Sequence, residues 1–76
     1  MKWNKGSSRY WSMTIPGAIP VRCSISVYSE SIVAEIRMAG CTVRKECFNR
    51  KAIGVDEVKR VTEGALNELA AGIWEA

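Results

Sequence analysis

Three cysteines at positions 23, 41 and 47, and a basic stretch reading CTVRKECFNRK over residues 41–51, are the side chains from which this 76-residue chain could build a chemical site. Structural zinc sites take four Cys or His ligands, usually in closely spaced pairs such as Cys-x-x-Cys. The chain has no histidine and no such pair, so no metal site is expected. A nucleophilic thiol needs a base or an electropositive pocket to become thiolate, and without histidine the commonest base is missing. There is no glycine-rich phosphate loop and no carboxylate pair sharing a face. The expectation is a protein that is not an enzyme, with no catalytic residues and no cofactor, whose chemistry is that of binding.

The charge needed for binding is unevenly placed. The net charge is only +3, but residues 1–22 carry Lys2, Lys5, Arg9 and Arg22 with no acid. Residues 54–76 set Lys59 and Arg60 against Asp56, Glu57, Glu63, Glu68 and Glu75. A basic front and an acidic rear admit an acidic partner. No apolar run reaches membrane-spanning length, and the N-terminus lacks the apolar stretch of a signal peptide. An odd number of cysteines without such a peptide points to free thiols in a reducing cytoplasm.

The elements that must position these residues follow from periodicity. At 47% hydrophobic and 25% charged, the chain reads as one globular domain over residues 1–76, its core near the lower size limit for independent folding. So small a core also admits a homodimer. Residues 1–8 read as a flexible basic arm. Residues 9–48 alternate with the period of strands, broken by Pro16-Gly17 and Pro20. Short turns are expected at Ser29-Glu30 and Ala39-Gly40. Residues 54–74 carry apolar side chains at helical spacing, including Val58, Leu66, Ile73 and Trp74. The expected fold is α+β: an antiparallel meander of three to four strands, then one C-terminal amphipathic helix packed on one sheet face, in the order β-β-β-β-α.

Strand parity then sorts the side chains. With unbroken pairing, Val21, Cys23, Ile25, Val27, Ile32, Ala34, Ile36, Met38, Cys41, Val43 and Cys47 face the helix. Lys45 is the exception among them, an inward-pointing lysine on an edge strand. The opposite, open face is expected to carry Arg22, Arg37, Arg44, Thr42, Tyr28 and Phe48, with Glu35 pairing Arg44 across the strands. Arg22 falls directly opposite Arg37. Like charges so placed are unfavourable on a sheet, and two guanidiniums side by side suit an anion. These six residues are the expected partner-binding set. Lys2, Trp3, Lys5 and Arg9 in the arm, with Arg50 and Lys51 before the helix, are further candidate contacts for a partner or nucleic acid.

A three-stranded sheet followed by a helix, with Arg22, Arg37, Arg44 and Thr42 on the sheet, resembles the arm-type domains of phage integrases and the plant AP2 domain. That resemblance implies a DNA- or RNA-binding module whose sheet enters the major groove. In overall design the whole chain looks like the small accessory proteins of phages and mobile elements, of which anti-CRISPR proteins are the example. This second resemblance implies a non-catalytic inhibitor that occupies an acidic surface of a larger host protein or nucleoprotein complex, and it is the preferred expectation.

Overall fold

The computed structural model describes residues 2–70. The expected helical residues Ile73 and Trp74 lie outside that range. Five strands form one antiparallel sheet in simple sequence order: β1 (Asn4–Ser7), β2 (Tyr10–Ile15), β3 (Val21–Val27), β4 (Ser31–Met38) and β5 (Cys41–Asn49). One helix, α1 (Val55–Ala70), follows and lies across β3 and β4.

The turns follow their residues. The β3–β4 hairpin closes with Tyr28 N–H donating to Ser31 O at 2.8 Å. Between β4 and β5 both central residues have positive φ, 52° at Ala39 and 77° at Gly40. That is the backbone of a type I′ hairpin turn, whose twist matches the flanking strands. Gly40 adopts it without cost, whereas Ala39 does so against its Cβ.

The core follows strand parity through β2, β3 and β4. Met13, Cys23, Ile36, Ala65 and Leu66 form one buried cluster. Ile25, Val27, Ile32, Ala34 and Val58 form the other. Thr62, buried in α1, donates its hydroxyl to Val58 O at 2.8 Å, so its polar atom is satisfied inside the helix. Gly54 O accepts from Val58 N–H and opens the helix, and Asp56 and Glu57 lie at the positive end of its dipole.

Two expectations are corrected. Residues 4–7, read as part of a loose arm, are a strand paired with β2. The sequence there shows no alternation because β1, NKGS, carries no large apolar side chain and is exposed throughout; Gly6 is an extra residue between Lys5 and Ser7. A Cβ on Gly6 would lie 3.0 Å from Tyr10 Cδ2, so glycine lets the bulged strand approach that ring. Trp3, just before β1, packs against both core clusters, and its indole Nε1–H donates to Glu63 Oε2 at 2.9 Å. The arm's tryptophan therefore joins the sheet to the helix.

The second correction concerns β5. Arg37 pairs with Thr42, but Ile36 pairs with Arg44, leaving Val43 as the extra residue of a bulge. Parity reverses beyond it. Arg44, Glu46 and Phe48 turn to the helix side, opposite Ile36, Ala34 and Ile32, while Lys45 and Cys47 turn to the open face. Unbroken pairing would have left Phe48 in water and set a lysine over the core. The bulge frees the ammonium group and half-buries the ring against Ile32's cluster. Val43 is left 45% exposed, and of the cysteines expected in the core only Cys23 is buried, Cys41 and Cys47 being exposed.

Candidate functional site

Because α1 covers one side of β3 and β4, the other side of the sheet is open, and the register sets its side chains in rows. Thr14, Arg22, Arg37 and Thr42 form the row nearest the β4–β5 turn. Ser12, Ser24, Glu35 and Lys45 form the next, followed by Tyr10, Ser26, Val33 and Cys47. Arg22 and Arg37 are thus directly opposed, as expected, and both are exposed.

The neighbours of the two arginines leave their charge uncompensated. Arg37 donates Nη2–H to Gly40 O at 2.8 Å, which holds its guanidinium against the turn. The nearest acid in the register, Glu35, accepts instead from the Thr42 hydroxyl at 2.8 Å. Among the described residues neither Arg22 nor Arg37 forms an ion pair with a carboxylate. Two concavities flank the pair. One, of about 380 Å³, is lined by Thr14, Pro20, Ala39 and Gly40 with both arginines. The other, of about 280 Å³, is lined by Tyr10, Ser24 and Glu35 with the same two.

The remaining expected contacts divide. Thr42 is on the open face beside Arg37. Arg44 and Phe48 are not. Arg44 pairs with Glu46 and reaches Glu68 on α1 at 3.9 Å, and Phe48 packs with the core. The expected Glu35–Arg44 pair is therefore replaced by Glu35 opposite Lys45. Tyr28 is 55% exposed at the β3–β4 turn, at the far end of the sheet from the arginine pair. Arg50 donates Nη1–H to Tyr28 O at 3.0 Å, tying the loop before α1 to that turn. Lys51 is exposed, its backbone N–H bonded to Asn49 Oδ1.

In the N-terminal segment Lys2 and Arg9 are exposed. Lys5 lies over the Trp11 ring at 6.0 Å on one strand, and Lys59 from the helix reaches the same ring at 5.1 Å. Both ammonium groups are drawn to the negative face of the indole. They brace β1 and α1 around Trp11 on the helix side of the sheet. Lys5 and Trp3 thus do not line the open face.

Lys45 was missed as an open-face cation, and the signal for it was present. It was the single residue that did not fit the unbroken register, and a charged misfit inside an apolar row is what a bulge relieves. The corrected face carries Arg22, Arg37 and Lys45 against Glu35 alone, whereas unbroken pairing puts Arg22, Arg37 and Arg44 there against both Glu35 and Glu46. Among the described residues no group of three potential ligands drawn from Cys, Asp and Glu comes together for a metal ion, and no helix is long and apolar enough to cross a membrane. Comparison with family models, with curated proteins and with solved structures returned no match.

Proposed function

We propose that the chain is a non-catalytic binding protein whose open sheet face occupies an acidic or nucleic-acid-facing surface on a larger protein or nucleoprotein complex. The observation that carries this reading is the opposition of Arg22 and Arg37 with no carboxylate partner among the described residues. A sheet built only for stability gains from opposite charges at such positions and loses from like ones. An anion supplied from outside reverses the sign. The face around the pair is polar and hydroxyl-rich, with Thr14, Ser24, Ser26 and Thr42, which suits a hydrogen-bonded interface. An inhibitor of the anti-CRISPR type, which blocks by covering a surface, is the biological form this reading takes.

Nucleic acid is the second reading, favoured by the three cations against one acid on the face. Sheet width argues against docking of the integrase or AP2 kind. Five strands at about 4.8 Å spacing span roughly 19 Å, against a major groove about 12 Å wide. The test is the variant carrying Arg22→Glu and Arg37→Glu together, in capture of host protein and in retardation of duplex and single-stranded DNA across a salt series. Loss of protein capture with the fold intact, and no retardation by the parent protein at moderate salt, supports the first reading. Retardation that falls steeply with salt and is lost in the variant supports the second. Unchanged binding by the variant removes the open face from both. Light scattering on the same samples counts the copies.

A further inference from the structure

Resting on that reading of the open face, we infer that the concavity on the turn side of the arginine pair receives a side-chain carboxylate from an acidic segment of the partner protein whose neighbouring residues are aliphatic. Both concavities beside the pair present Arg22 and Arg37, but only one is free of acid. The Tyr10 side contains Glu35, whose carboxylate repels an incoming anion. The turn side contains Thr14, Pro20, Ala39 and Gly40, so an anion there meets two guanidiniums and no carboxylate.

The fork is partly preset. The bond from Arg37 Nη2 to Gly40 O fixes that guanidinium to a turn whose two central residues are both left-handed. Its other N–H groups, and those of Arg22, have no partner among the described residues. Paired planar donors match the two oxygens of a carboxylate.

The walls identify the source of the anion. Pro20 and Ala39 are apolar, and Ile19, next to Pro20 in the chain, is 56% exposed. An aliphatic side chain next to the captured carboxylate would cover them. No aromatic ring lines this concavity, so a nucleotide would find no stacking platform. A polyanionic backbone crossing the face would also run past Glu35 in the adjacent row.

The test is a titration of the isotopically labelled full chain, followed by amide and arginine Nε–H resonances. The probes are the peptide acetyl-Leu-Asp-Leu-Glu-Leu-amide, its Asn/Gln counterpart, inorganic phosphate and a short oligothymidylate. The acidic peptide is expected to give saturable shifts at Arg22, Arg37, Thr14 and Gly40, weakened about tenfold or more by Arg22→Gln, with no response to the amide counterpart. Absence of saturable shifts with the acidic peptide overturns the inference. So do equal responses to the amide peptide, or larger ones at the same residues from phosphate or oligothymidylate. Host-protein capture separates the two levels. Capture abolished by Ser26→Arg, at the middle of the face, but kept by Arg22→Gln overturns the carboxylate site and leaves the face reading standing. Capture kept by both brings down both.

Discussion

Arg22 on β3 stands directly across the ladder from Arg37 on β4, and the acid nearest them, Glu35, is engaged by the hydroxyl of Thr42. The pair sits at the turn end of an uncovered sheet face, where Arg37 is fastened to the backbone of Gly40. What stabilises the fold lies on the other side, under α1. The two sides can therefore be perturbed separately.

The bulge at Val43 decides which β5 residues belong to which side. Phe48→Ala is expected to destabilise by about 2 kcal/mol, below the range for a fully enclosed ring because Phe48 is half-buried. Lys45→Ala is expected to change stability by less than about 0.5 kcal/mol, as at other exposed positions. Unbroken pairing, which leaves Phe48 in water, predicts little loss from Phe48→Ala and a gain from removing Lys45. Urea unfolding of the two variants checks it.

The β4–β5 turn holds a residue that its backbone does not favour. Ala39 has φ 52° ahead of Gly40 at 77°, and Asn-Gly is the preferred pair for this turn. Ala39→Asn should stabilise by about 0.5–1 kcal/mol, and Gly40→Ala should destabilise by about 1–2 kcal/mol. Thermal unfolding reads both changes.

Much of this was legible in the sequence, and each failure has a physical cause. Alternation in Val21–Val27 and Ser31–Met38, with the short turn between them, was enough to place Arg22 beside Arg37, because period-two pairing propagates without ambiguity from a short turn. Parity fails wherever an extra residue enters. Val43 moved Arg44 and Phe48 off the face and Lys45 onto it, whereas β1 was hidden because its four residues, NKGS, are exposed and carry no apolar pattern. A bulge is chosen by the total energy of the side chains beyond it, here a phenylalanine and a lysine exchanging sides. Local pattern does not report that sum. The Trp3–Glu63 bond joins residues sixty apart in sequence, and no periodicity announces it.

Trp3 is expected to matter for folding rather than for binding. Removing its ring strips a contact from both core clusters and leaves Glu63 without its indole donor. Trp3→Ala should cost about 2–3 kcal/mol and leave binding by the folded fraction unchanged. Denaturant titration beside a binding assay separates the two.

The thiols should divide by burial. Cys41 and Cys47 are exposed, whereas Cys23 is fully enclosed and burial pushes its pKa from 9.0 up to about 11. Under native conditions an alkylating reagent should modify Cys41 and Cys47 quickly and Cys23 only on unfolding. The raised pKa also sets a sign for stability. Below pH 9 the Cys23 thiol is neutral in both states. As pH rises from about 9 towards 11 the unfolded state ionises first, so stability declines across that window. Denaturant midpoints measured across that range, with Cys23→Ala as the control lacking this slope, check it.

The most direct test uses the one substitution for which stability and binding should move in opposite directions. Arg22→Glu replaces a like-charged cross-strand pair with an ion pair to Arg37, worth a few tenths to about 1 kcal/mol in favour of the fold. It also places a carboxylate where the partner's anion should sit. Measured together on this variant, the unfolding midpoint should rise and partner binding should be lost. Binding at the parent level by a variant that is equally or more stable would contradict the account.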